Sequence, residues 1–367
     1  MIEAIAFARA GVLGNPSDGY FGKTIALTLP NFRSRTLLYP SARLEIRPSA
    51  ADIPIWEDLN QLRAHTRWRG YYGGIRIIRA LLMRFSDYCA AEGIRLHDRN
   101  FTIEYETSIP LRLGMGGSSA IITSSLRALM RFYEVDIPAP IQANLILETE
   151  TKELGVAAGL QDRVVQVYEG LVYMDFDRGL MESRGYGAYE SLDSSLLPNL
   201  YVAYRTSLSE GTEVVHNDLR RRFDAGDRAV TEAVAMWAAM AEDGRRALLE
   251  GDLDRFSTLI DANFDLRAEV CRISKENLEM VRTARSAGAT AKFAGSGGAI
   301  IGTYRDSDHL ERLRKALEAI DVRVIRPAAN RPSAVDGALA GADGAVSRMT
   351  PRSGPRETIG RPGRADG

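Results

Sequence analysis

The segment "IPLRLGMGGSSAIITSSL", residues 109–126, sits between two runs of opposite period. Before it, Phe101, Ile103 and Tyr105 alternate with Thr102, Glu104 and Glu106, which reads as a half-buried strand. After it, Ile122, Leu126, Leu129, Met130 and Tyr133 mark a helix that begins near Ser118. A strand that feeds a helix through Gly114, Gly116 and Gly117 allows the backbone to approach a ligand closely. The free N–H groups and the macrodipole of the helix N-terminus favour an anion there. Ser118 as a simple helix cap is the plainer alternative, but a cap does not need three glycines. Gly114, Met115, Gly116, Gly117, Ser118 and Ser119 are therefore expected to cradle a phosphate. The spacing is not GxGxxG, so the dinucleotide fingerprint is absent.

A second segment, "LGNPSDGYFGKT" (residues 13–24), resembles a P-loop but has Ser17 where the first glycine belongs. The following "IALTLP" alternates as a strand, whereas a P-loop leads into a helix, so the P-loop reading fails on context. The plain alternative is a surface turn, since Asn15, Pro16, Ser17, Asp18 and Gly19 are all turn formers. A third cluster, "AKFAGSGGAIIG", lies between two strand-like runs, and its plain reading is a tight hairpin.

The chain has 367 residues, enough for two domains with cores of their own. A first domain is expected over 1–190 and a second over 191–330. In the second, "NLYVAYRT" is followed by helical segments near 225–250, 253–270 and 275–287. The strand "TAKF", the strand "IIGTY", the helix "DHLERLRKALEAI" and the strand "VRVI" come next. With the helices collapsed, the order is β-α-β-β-α-β, the split ferredoxin-like pattern. The fold class is α+β. Residues 331–367 lack aromatics, are rich in Gly, Pro, Ala and Arg, and are expected to form a disordered tail.

Lys and Arg number 47 against 48 Asp and Glu, so the net charge of -1 gives no reason to expect a nucleic-acid or membrane-surface partner. Cys89 and Cys271 form no CxxC, and the N-terminus has no signal-peptide layout. No run of about 20 apolar residues is present. A cytoplasmic protein is expected. The four histidines lack metal-ligand spacing, and no GxSxG elbow occurs. The acidic candidates lie in "LILETETKELGVAAGLQDRVVQVYEG". Glu148, Glu150, Glu153 and Asp162 stand there, with Asp162 at a helix entry after Gly155 and Gly159. A carboxylate favoured by the helix dipole is the plain reading of Asp162.

Together these segments resemble the GHMP kinases, over roughly residues 5–330. Galactokinases of that family carry an N-terminal R-V-N-L-I-G-E-H-T-D-Y stretch, matched here at Arg9, Gly14 and Asp18. The central P-x-x-x-G-L-G-S-S-A motif is echoed by Pro110, Gly114, Ser118, Ser119 and Ala120, with one extra glycine before the serines. The C-terminal motif is echoed by residues 295–298, and Glu150, Gly155, Gly159 and Asp162 reproduce the family's acidic spacing. Within the family, "LGNPSDGYFGKT", "GYYGG" and "GLQDRVVQVYEGLVYMDF" are most similar to the glucuronokinase branch.

The resemblance implies a two-domain fold, with an N-terminal domain of the small ribosomal-protein type and a C-terminal ferredoxin-like domain. It implies transfer of the ATP γ-phosphoryl group to the anomeric hydroxyl of a uronic acid. Gly295 and Gly297 join the phosphate site, Ser119 and Glu150 hold Mg²⁺, and Asp162 and Arg9 are catalytic. Asn15, Ser17, Asp18 and Tyr72 line the sugar site. A neutral Asn15 suits a sugar that brings its own carboxylate, since like charges ~4 Å apart repel by a few kcal/mol at a dielectric near 20. Arg63, Arg67, Arg69, Arg112 and Arg205 are candidate partners for that carboxylate. The alternatives are another small-molecule kinase of the family or a non-catalytic nucleotide or sugar sensor.

Overall fold

β1 (Ile2–Leu13) places Ala4, Ala6, Ala8 and Ala10 on one buried face. These small side chains let neighbouring elements pack close to the strand that carries Arg9. The computed structural model describes residues 1–49, 52, 58–59, 62, 73–111, 113–205 and 213–328. The expected tail at 331–367, and Tyr72, Arg63, Arg67, Arg69 and Arg112, lie outside the described residues.

β1 pairs antiparallel with β2 (Lys23–Pro40). The sequence suggested a strand ending at Pro30, yet β2 runs ten residues further. The pairing register shifts there, from Ala8 opposite Leu29 to Phe7 opposite Arg33. Proline has no N–H to give a ladder, and an irregularity that drops it from the pairing keeps the strand intact. The first part of β2 pairs with β5 (Leu171–Asp175) and the last part with β4 (Phe101–Thr107). β3 (Glu45–Ile46) and β6 (Ala188–Leu192) complete a mixed sheet, six-stranded among the described residues.

Against it pack α1 (Gly74–Ala91), α2 (Gly117–Tyr133), α3 (Ala139–Glu148) and α4 (Gln161–Tyr168), with α5 (Arg178–Arg184) leading into β6. α2 buries Ile122, Leu126 and Leu129 against Leu38 of β2 and Ile103 of β4, as its apolar spacing suggested.

The second sheet has the order β10 (Val322–Ile325), β7 (Leu200–Arg205), β9 (Ala299–Thr303), β8 (Lys292–Phe293), all antiparallel. This is the ferredoxin-like order, with strands 4-1-3-2 of its own count. Long helices replace the first crossover: α6 (Glu213–Asp224), α7 (Arg228–Glu250), α8 (Leu253–Val270) and α9 (Lys275–Ser286). α10 (Ser307–Glu318) precedes β10. One apolar cluster joins the two sheets, with Ala8 and Ala10 of β1 beside Ile109, Met115, Phe256, Ala294 and Ile301. That shared core fixes the glycine loop before α2 against the glycine loop after β8.

Candidate active site

Arg9 is only 5% exposed and holds four parts of the chain together. Its Nε donates to Asp162 Oδ1 at 2.6 Å and its Nη2 to Asp162 Oδ2 at 2.5 Å, a two-pronged pair. Its Nη1 donates to the carbonyls of Gly114 and Ala294, the latter at 3.2 Å. Its own backbone N–H donates to the Met115 carbonyl at 3.0 Å. Arg9 therefore ties the acid at the head of α4 to both glycine loops. The Asp162 carboxyl is pushed up by burial, but the guanidiniums of Arg9 and Arg163 outweigh this and hold it below the usual carboxylate range.

The two glycine loops touch. A Cβ on Gly295 would lie 2.2 Å from the Gly114 carbonyl and 2.7 Å from Arg9 Nη1. Gly114 and Gly116 have φ of 60° and 73°, the left-handed region that glycine enters freely. The Met115 side chain is buried in the core, so this residue offers the loop only its backbone. Gly117 opens α2, one residue before the expected start. Gly297, at φ 138°, lies in the turn between β8 and β9, so the third cluster is both a hairpin loop and a wall of the site.

Glu150, the acid expected to bind a metal, lies beside a serine, but that serine is Ser118 and not Ser119. Glu150 stands in a short π-helical turn, Thr149–Glu153, and is 2% exposed. Its Oε1 accepts from Ser118 Oγ at 2.5 Å, and its Oε2 accepts from Arg163 Nε at 2.7 Å. Ser119, expected beside Glu150, instead donates to the Gly116 carbonyl at 3.1 Å. The extra glycine starts α2 early, and it is Ser118 that faces the acid.

In the loop after β1, Asp18 Oδ2 accepts from the Gln161 backbone N–H at 3.3 Å, next to Asp162. Burial, with the charge of Asp162 adding to it, pushes the Asp18 carboxyl up to about 6. Gly159 makes room for it, because a Cβ there would lie 2.0 Å from Asp18 Oδ2. Asn15 is 4% exposed, and its Oδ1 accepts from Lys292 Nζ. Ser17 does not fit the sugar-contacting role expected of it. It is fully buried, and its hydroxyl donates to the Lys23 carbonyl at 2.9 Å, closing its own loop. Arg205, a candidate for a sugar carboxylate, donates to the Glu276 carbonyl at 2.7 Å and to Glu279 at 3.1 Å.

The chain matches the family descriptions "GHMP kinases N terminal domain" over residues 76–170 and "GHMP kinases C terminal" over residues 245–321. It is 45% identical over 309 residues to a protein from Arabidopsis thaliana named probable glucuronokinase 2, covering 82% of this chain and 84% of that one. The chain belongs to the GHMP kinase family. A second Arabidopsis thaliana protein, glucuronokinase 1, is 43% identical over 307 residues, with the same 82% and 84% coverage. Among solved structures, Lactococcus lactis galactokinase complexed with galactose superposes with a TM-score of 0.69 at 16% identity, over 88% of this chain and 92% of that one. This GHMP kinase thus shares its fold with a galactokinase and its sequence with proteins named glucuronokinases. It is an ATP-dependent kinase.

Three residues of this GHMP kinase site were not singled out from the sequence: Arg163, Lys292 and Arg267. Arg163 follows Asp162 directly, and two successive charges at a helix entry are a signal that was available. Lys292 is 1% exposed and Arg267 3%. Lys292 lies on a two-residue strand and Arg267 near the end of α8, and nothing in the local pattern marks either as buried.

Proposed function

We propose that this kinase transfers the γ-phosphoryl group of ATP to the anomeric hydroxyl of D-glucuronate, giving glucuronate 1-phosphate and ADP. The observation that carries the chemistry is the Arg9–Asp162 pair lying against both glycine loops. Phosphoryl transfer asks a protein mainly for positioning and charge neutralisation. Asp162, kept ionised, accepts the proton of the acceptor hydroxyl as its oxygen bonds to the γ-phosphorus and the bond to ADP breaks. An anomeric hydroxyl is acidic for an alcohol, so a base held at low pKa suffices. Arg9 spans the gap between Asp162 and the loops, where negative charge develops. The uronic acid acceptor is supported by the likeness to the two glucuronokinases and by the neutral Asn15.

Mg²⁺ fits the donors present. Glu150 and Ser118 offer a carboxylate and a hydroxyl oxygen 2.5 Å apart. A hard cation takes such oxygens and completes its shell with phosphates and water. The ion would neutralise phosphate charge. The cytoplasm is the proposed compartment, and the free thiols of Cys89 and Cys271 suit its reducing conditions. No helix among the described residues is long and apolar enough to cross a membrane.

ADP release measured with glucuronate, galacturonate, glucose, galactose and mevalonate tests the reading. Glucuronate is expected to give the highest kcat/KM. A preference for a neutral hexose or for mevalonate would remove glucuronate as the acceptor and leave the phosphotransferase intact.

Asp18 gives this activity a pH signature. Above about 6 its carboxylate is ionised and accepts hydrogen bonds from sugar hydroxyls. kcat/KM is therefore expected to rise with pH and level off above that value. Asp18→Asn is expected to abolish this limb and raise KM by ~10–100-fold, the range of a hydrogen bond to a charged group. The same shift acts on stability with the opposite sign. The folded-state value lies above the ordinary 3.8, so the native chain binds this proton more tightly. Stability from this group therefore falls as pH rises between those two values. Asp18→Asn should melt above wild type at about pH 7, a gap that closes towards about pH 4. An unchanged pH profile in the variant would exclude Asp18 as the titrating group.

A further inference from the structure

We propose that Lys292, acting through the side-chain amide of Asn15, makes this site select an acidic sugar over its neutral counterpart. The inference rests on the reading that the acceptor is a uronic acid, and it assigns the positive charge that such an acceptor needs.

Lys292 Nζ donates to the Gly11 carbonyl at 2.9 Å, to the Phe293 carbonyl at 3.0 Å, and to Asn15 Oδ1. An ammonium has three donors, so all are engaged, and all by neutral oxygens. No ion pair to Lys292 occurs among the described residues, and none to Arg267. Arg267 donates to the Gly295 carbonyl at 2.9 Å and the Ser296 carbonyl at 3.4 Å, and its buried Nε has no hydrogen-bond partner among the described residues. Of the nearby acids, Asp162 is paired with Arg9 and Glu150 with Arg163, while Asp18 acts on Arg267 through space but forms no ion pair with it. Among the described residues, neither of these two buried cations beside the site has an ion-pair partner. A buried charge is costly until an opposite charge joins it, and an anionic ligand supplies one. Burial, and then the charges of Arg267 and Arg9, push the Lys292 ammonium well below its usual range, as expected for a cation that lacks its anion.

Asn15 carries this charge towards the sugar. With Lys292 on Oδ1, the amide orientation is set, and Nδ2 remains as a donor with no partner among the described residues. Gly11 allows this placement, because a Cβ there would lie 3.0 Å from both Asn15 Cγ and Gln161 Nε2. Asn15 therefore sits beside the residue that precedes Asp162. A face that only donates, backed by an ammonium, suits a carboxylate oxygen. An acid at position 15 would pair with Lys292 and cancel the charge, whereas asparagine leaves it for the ligand. Lys292 touches no substrate in this arrangement and is a positioning residue.

The test compares D-glucuronate with D-glucuronamide, its neutral analogue, by calorimetric titration. Wild type, Lys292→Met and Asn15→Asp are titrated, with nucleotide affinity and Tm measured alongside. Wild type is expected to favour the acid by about tenfold or more, the scale of a partly desolvated charge pair. Both variants are expected to bring that ratio within about threefold, with nucleotide affinity little changed. A purely structural role for Lys292 would weaken acid and amide alike and leave the ratio at its wild-type value, which overturns the proposal. If Lys292→Met does not fold, Asn15→Asp decides, since it keeps the lysine and cancels its charge. If wild type phosphorylates glucuronate but binds acid and amide equally, this inference alone falls. If wild type does not phosphorylate glucuronate, the substrate reading falls and this one with it.

Discussion

Asp162→Asn is expected to lower kcat by ~10²–10⁴-fold, the usual contribution of a positioned base, while nucleotide affinity stays within about threefold. The side chain keeps its size and its place at the head of α4. It loses the charge that makes a two-pronged partner for Arg9 and a proton acceptor for the hydroxyl. The groups proposed to face the nucleotide, Gly114–Ser119 and the Ser118–Glu150 pair, do not depend on that charge. The melting temperature should fall as well, because Arg9 remains buried with only carbonyl oxygens to receive it. Activity must therefore be read on the folded fraction, with nucleotide binding as the control. A kcat near wild type would move the base elsewhere, and Asp18, one hydrogen bond away from Gln161, would be the next residue to test.

The glycine loops were legible because their requirement is local: Gly114 and Gly116 take a φ that other residues avoid, and they stand between a strand and a helix. Asp162 and Arg9 were legible by resemblance, although their contact spans 153 positions and no local pattern forecasts it. The exchange of Ser119 for Ser118 beside Glu150 has a local cause. One extra glycine begins α2 at Gly117, and on a helix a shift of one residue turns a side chain by roughly 100°. The course of β2 past Pro30 was not legible, because a proline inside a strand reads as its end until the partner strand shows a shifted register. Lys292 and Arg267 escaped for a different reason. Charged residues are rarely fully buried, so the sequence alone argues for the surface. Only the packing of β8 and α8 behind the loop after β1 shows otherwise.

Arg9→Met is expected to cost ~10²–10⁴-fold in kcat, close to the loss for Asp162→Asn, because the two act as one unit. Methionine keeps much of the arginine stem's volume but removes every donor to Asp162, Gly114 and Ala294. Both glycine loops then lose their common tie, and Asp162 loses the first of the two charges that oppose its burial. The sign of the pH effect follows. In wild type the Asp162 value is depressed, so the stability and activity it supports are present above the ordinary carboxylate value and are lost as pH falls through the lowered one. Without Arg9, the Arg163 guanidinium is left to oppose burial, and the acid limb of the kcat profile moves to higher pH. Arg9→Lys restores a charge but not the fork, and should recover the pH limb more fully than the rate. The double variant Arg9→Met with Asp162→Asn is expected to be no slower than the worse single variant, and to melt above Arg9→Met alone, since it no longer buries a carboxylate that Arg163 alone opposes. Losses in kcat that simply multiply in the double variant would show that Arg9 and Asp162 work independently. In that case Arg9 serves the phosphate loops rather than the acid.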